Sequence, residues 1–161
     1  MTNKLALGIT SVLMGIILLF SLIIPWFQVN TILRIQNFYP LWEGNGGNLS
    51  TQSYHIYSYL AGIFIILGAT LSIILGMLMI SGKRGRGLNT GVIFSSVLGI
   101  IAFILYMIFI YKISPDYSGH IFSYHGFGGF GYGIQFGYYL EIVASAFLLI
   151  VSIIFTSLSE K

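Results

Sequence analysis

The chain contains no cysteine, and its 161 residues carry only four acidic and seven basic side chains. Without cysteine there is no disulfide, no thiolate metal site and no cysteine nucleophile. Charged residues make up 7% of the chain, where a soluble domain carries about a quarter. So few charges cannot cover a soluble protein of this size, which excludes a soluble globular domain, a disordered chain and a coiled coil. The formal net charge is +3, but the positives are sparse and not interleaved with aromatics, so nucleic acid is not implied as a partner. What is abundant is apolar surface, at 57% of residues. The composition is that of an integral membrane protein with one domain's worth of length.

A helix needs about 20 apolar residues to cross a bilayer. Four stretches qualify, about 5–26, 56–80, 90–111 and 136–158. The first has the short charged start of a signal peptide, but its apolar run is too long and ends in Pro25-Trp26-Phe27, a poor cleavage site, so it reads as a retained helix. The expected fold is all-α and transmembrane, a four-helix bundle in a single domain. Residues 27–55 and 112–135 form the two longer loops, and 81–89 a short basic turn. Lys4, Lys83, Arg84, Arg86 and Lys161 fall on one side, against Arg34 and Lys112 on the other. The positive-inside rule then places both termini in the cytoplasm of a cell-membrane protein, with the longer loops outside.

The first outer loop has strand character. Over residues 28–36, Val29, Thr31, Leu33 and Ile35 share one parity while Gln28, Asn30, Arg34 and Gln36 share the other. This predicts a small extracellular β element broken only at Ile32. Asn45-Gly46-Gly47 reads as a turn, and Asn48-Leu49-Ser50 as a possible glycosylation acceptor.

The helices carry lines of small residues. Gly68, Ser72 and Gly76 recur four apart in the second, and Gly91, Ser95 and Gly99 in the third. Gly133, Gly137, Glu141 and Ser145 do the same in the fourth, while the first has Gly8, Ser11 and Gly15. Helices in lipid associate by close backbone approach at such positions. Each line is read as packing inside one bundle, with a dimer face as the alternative. Glu141 is the ionisable residue well inside a span, a functional-site candidate by default. Its place among small residues turns it into the bundle. The expectation is a neutral or ion-paired pin for the outer helix ends, with Lys112, Arg34 or tyrosine hydroxyls as partners. A proton-relay or ion-path role is the alternative.

His55, His120 and His125 fall on the outer side with Glu43 and Asp116, but their spacing matches no metal motif, and loop histidines are the expected reading. Residues 126–131 are glycine-rich without the strand and lysine of a phosphate loop. Their Gly-aromatic alternation suits a contact surface, with Phe127 and Phe130 as contact residues. No catalytic constellation and no cofactor is expected.

Trp26 just past the first helix, the strand at 28–36 and the pair Leu41-Trp42 together resemble the first outer loop of the claudin/PMP22 tetraspan superfamily. The two cysteines that follow in that family are absent here, and the spacing from Trp26 to Trp42 is shorter. The resemblance implies a bundle capped by a small outer sheet. It also implies non-catalytic work in adhesion, barrier formation or partner assembly, with Trp26, Leu41 and Trp42 as outer-loop contacts. The expected function is that of a non-enzymatic membrane protein acting through its outer loops, on copies of itself or on another membrane protein. The alternatives are an accessory subunit of a larger complex, such as a respiratory assembly, and a transporter or metal-dependent membrane enzyme. No small-molecule substrate is evident.

Overall fold

The computed structural model describes residues 2–31, 34–41, 43–44, 55–83, 85–113, 125–127 and 130–159. Four helices carry the fold: α1 (Thr2–Ser21), α2 (His55–Ile80), α3 (Arg86–Ile113) and α4 (Phe136–Ser159). All four are long and apolar enough to cross a membrane. Each of α1 and α3 packs against both α2 and α4, giving a four-helix bundle in ring order. Serines sit inside the bundle along with part of its apolar side chains, while many large apolar side chains face outward. Ser11, Ser72, Ser95 and Ser145 are fully buried, whereas Phe20, Met77, Phe94 and Phe147 are exposed. That is the reverse of a soluble protein, and it is what a hydrocarbon solvent favours.

The helix α1 stops at Ser21, short of the expected end at Trp26. Pro25 disfavours helical backbone at Ile24, and the chain leaves through a turn in which the amides of Leu22, Ile23 and Ile24 reach back to the carbonyls of Leu19, Phe20 and Ser21.

Over one end of the bundle lies an antiparallel sheet. Its strands are β1 (Phe27–Thr31), β2 (Arg34–Phe38), β3 (Glu43–Gly44), β4 (His125–Phe127) and β5 (Phe130–Ile134), in the order β3-β2-β1-β5-β4. Two expectations are corrected. The pattern at 28–36 is not one strand but a hairpin, with Thr31 opposite Arg34 and Phe27 opposite Phe38. Ile32, the break in the pattern, lies outside the described residues. The β element is also not confined to the first loop. Strands β4 and β5 pair with each other, and β5 pairs with β1, where Phe27 opposes Ile134 and Val29 opposes Tyr132. The described residues of the Gly-aromatic segment, 126–127 and 130–131, are thus in strands.

Beneath the sheet is an aromatic layer. Phe27 and Phe38, partners across β1–β2, are buried against Phe109 of α3. Trp26 meets Tyr106 edge-on at 4.7 Å between ring centres and Tyr138 at 5.5 Å. Such edge-to-face contacts favour the ring quadrupoles as well as burying apolar area.

Candidate functional site

Two places combine polar chemistry with built geometry: the sheet with its anchor at Trp26, and the α3–α4 seam at Glu141.

Trp26, expected as an outer-loop contact residue, is fully buried and is therefore not a contact surface. Its indole Nε1–H donates to the Ser21 carbonyl at 2.7 Å, satisfying one of the last carbonyls of α1. Its backbone amide donates to Phe38 O and its carbonyl accepts from Gln135 N, both at 2.9 Å. One residue thus joins α1, the β2 end of the first loop and the β5 end of the second. Gly137 makes this closeness possible. A Cβ there would stand 2.6 Å from Ile24 O and 2.7 Å from the Trp26 ring. Leu41 also points inward, resting in a notch at Gly62 of α2, while the Ser58 hydroxyl donates to Pro40 O at 2.9 Å. On the opposite face of the sheet three amides form a ladder. Gln135 Nε2 donates to Gln28 Oε1 at 3.2 Å, and Gln28 Nε2 to Asn37 Oδ1 at 3.0 Å.

The small-residue lines resolve into helix contacts, but not as continuous stripes. Gly8, Ser11 and Gly15 all face α2. A Cβ at Gly8 would lie 2.9 Å from Gly76 O, and one at Gly15 2.9 Å from Ala69 O. On α2, Gly76 faces α1 whereas Gly68 faces Ser95 of α3. On α3, Gly91 and Ser95 face α2 whereas Gly99 faces α4. The reason is geometric: with 3.6 residues per turn, each step of four rotates about 40° around the helix. A line of three such positions therefore drifts from one neighbour to the next. The spacing of Gly8, Ser11 and Gly15 averages about 3.5 and stays on one face. Gly133 does not belong to the α4 line at all, since it lies in β5.

Glu141 is fully buried in α4. Its Oε1 accepts from Ser145 Oγ at 2.8 Å, and a Cβ at Gly99 would stand 3.0 Å from that oxygen. Gly99 thus leaves the room that the carboxyl fills. Lys112, one of the candidate partners, is not there. It lies 13 residues further along α3 than Gly99, about 20 Å at 1.5 Å per residue, and is exposed. The side chain of Arg34 lies outside the described residues. The observed hydrogen bond is made within α4, so it ties Glu141 to its own helix rather than pinning two helices together. Glu141 Oε2 has no hydrogen-bond partner among the described residues.

Among the described residues no group of His, Asp and Glu is placed to hold a metal. Trp42, Asn48 and His120 lie outside the described residues, as do the side chains of His55, His125, Phe127 and Phe130. Comparison with family models, with curated proteins and with solved structures finds no match to this chain.

Proposed function

We propose that this is a non-enzymatic integral membrane protein that acts through the joined surface of its two outer loops, assembling with copies of itself or with another membrane protein. The observation that carries this reading is the β1–β5 pairing. It makes one sheet out of two loops separated by two helices. A platform held this way presents a fixed shape, as partner recognition requires, and needs no catalytic group. The resemblance of Trp26 and Leu41-Trp42 to the claudin/PMP22 plan supports the same reading, since it implies a bundle under a small sheet. The inward anchoring of Trp26 and Leu41 makes them holders of the platform. Its free face is the one bearing Gln28, Asn37 and Gln135. The sheet lies outside and both termini are cytoplasmic in the cell membrane, following the bias of basic residues.

Purification in gentle detergent, followed by mass determination of the intact particle, tests the reading. Oligomers of this chain, or a stable complex with another membrane protein, are expected. Replacing Gln28 and Asn37 with lysine disperses them while the helices keep their content. A monomer with no co-purifying chain overturns the proposal.

A further inference from the structure

Buried hydroxyls in this bundle are mostly satisfied close to home. Ser11 and Ser152 donate to the carbonyl four residues back, Ser95 and Ser96 to the carbonyl three back, and Ser72 to Ser11 O on the next helix. By contrast, Glu141 Oε2 and Asn89 Oδ1, both buried, have no partner among the described residues. Helical spacing sets both toward the α3–α4 seam.

On α3, Asn89, Ser96 and Gly99 share a face at heptad spacing, and on α4 so do Glu141, Ser145 and Ser152. Gly99 meets Glu141 and Ser145, and Phe103 stacks on Tyr138 at 4.5 Å. Running this antiparallel register away from the sheet sets Ser96 near the level of Ser145, and Asn89 near that of Ser152. One apolar layer, Val92 with Leu148, lies between. Toward the sheet the seam is closed by the packed rings of Phe103, Tyr138, Tyr106 and Trp26.

A carboxyl in hydrocarbon is costly to keep and marks function by default, and among the described residues this one makes no bond to another helix that would explain it. Oε1 and Ser145 Oγ already fill the room at Gly99, so what the carboxyl can still take up is taken up at Oε2, where a proton needs no added space. The facing helix offers a glycine there, not an oxygen side chain, so the niche lacks the set of oxygens a metal cation takes. We propose that the Gly99–Glu141–Ser145 niche is a proton-binding site. It exchanges its proton with the aqueous phase at the end of the bundle opposite the sheet, along the seam past Ser96 and Ser152 to Asn89. The titratable groups facing it are few. Tyr138 lies one turn away on α4 and Tyr106 about two turns from Gly99 on α3. Beyond Lys4, α1 has no charged residue, and α2 has none, with His55, Tyr57 and Tyr59 confined to its first turn and a half. This site is separate from the outer-loop surface and stands or falls independently of it.

Infrared spectroscopy of the full chain in phosphatidylcholine vesicles tests the proposal, because a protonated carboxyl has its own carbonyl band. Such a band should appear and disappear over a pH titration and shift in D2O. It should be lost in Glu141→Gln and move in frequency in Ser145→Ala, a readout that mere packing would not change. Ser145→Ala carries the assignment alone if the Gln variant does not fold. Exchange of the band in D2O should slow in Asn89→Leu and quicken in Val92→Ser, which makes the apolar layer polar. No band responsive to Ser145→Ala at any pH overturns the site. Exchange rates equal to the parent's in both seam variants overturn the route.

Discussion

The Ser72 hydroxyl of α2 donates to the Ser11 carbonyl of α1 at 2.8 Å. A backbone oxygen already engaged in its own helix is reached across a helix pair because Gly8, Gly15 and Gly76 let the two backbones close around it. A Cβ at Gly76 would stand 2.6 Å from Gly8 O. Gly76→Leu should therefore force α1 away from α2 and lower the midpoint of thermal unfolding in detergent. The cost should be on the order of 1–3 kcal/mol, as for other overpacked contacts. Met77→Leu is the proper control, because Met77 is 60% exposed on the outer face. Leu75, one residue the other way, is not a neutral position, since it packs onto Gly91 of α3. Equal midpoints for Gly76→Leu and Met77→Leu would remove this contact from the account.

Cross-strand cysteines test the sheet register in a chain that has none of its own. Asn30 and Gly131 are Cα partners across β1–β5, and paired residues in an antiparallel ladder lie about 4.5–5.5 Å apart, within disulfide reach. Asn30→Cys with Gly131→Cys should cross-link readily under mild oxidation, giving a faster-migrating band in non-reducing gels. Asn30→Cys with Gly133→Cys, a diagonal at about 7–8 Å, should cross-link poorly. The opposite order would mean that the two outer loops are joined in another register.

The topology has its own measurement. Single cysteines at Ser81 and Ser118 should behave oppositely toward an impermeant thiol reagent on intact cells. Position 118 should label, and position 81, beside Lys83 in the basic turn, should not. The reversed pattern would invert the orientation drawn from the basic residues.

How far these features were legible in the sequence follows from how each is encoded. The helices needed only apolar length, so α2 begins and ends within a residue of its expected bounds. The end of α1 was missed because Leu22–Ile24 are as apolar as the helix before them. Pro25 was the signal, through the restriction it places on the residue ahead of it. The strand pairing of Phe130–Ile134 had little local signature. Glycine-rich strands specify register weakly, and the partner β1 lies about a hundred residues away in the chain. Glu141 pointed inward as its helical position implies, but its partner was sought among outer cations and tyrosine hydroxyls when Ser145 stood one turn below. Lines of small residues marked contacts correctly and their partners only partly, because rotation along the helix hands the line from one neighbour to the next.

Trp26 should be hard to replace even by another aromatic. Trp26→Phe keeps most of the apolar area but removes the Nε1–H that meets Ser21 O. The carbonyl then keeps only the long 3.4 Å contact from the Ile24 amide, a loss of about 0.5–1.5 kcal/mol. Because Trp26 also pairs by its backbone with Phe38 and Gln135, the damage should reach both outer loops. The Asn30–Gly131 cross-link should form less efficiently in this background. Unchanged cross-linking together with an unchanged melting midpoint would show that the indole hydrogen bond contributes nothing to the cap.

Glu141 gives the most discriminating set of substitutions, because its hydrogen bond is internal to α4. In Glu141→Leu the carboxyl disappears together with the unpartnered Oε2. Ser145 is not stranded, since it can donate to the backbone carbonyl of residue 141, as Ser11 and Ser152 donate to the residues four before them. Leucine is about one methylene larger than glutamate and takes the space the carboxyl occupies beside Gly99. The Leu variant should therefore melt at or above the parent, by up to about 1 kcal/mol, the scale of a polar contact within a membrane bundle. Glu141→Gln keeps an acceptor for Ser145 but gains two N–H donors facing apolar surroundings, so it should melt at or below the parent. A residue that the fold does better without is one kept for another reason, which is why this order bears on the proton site as well as on stability. If Leu is the least stable of the three, the carboxyl holds helices together after all, and the case for a functional Glu141 loses its physical basis.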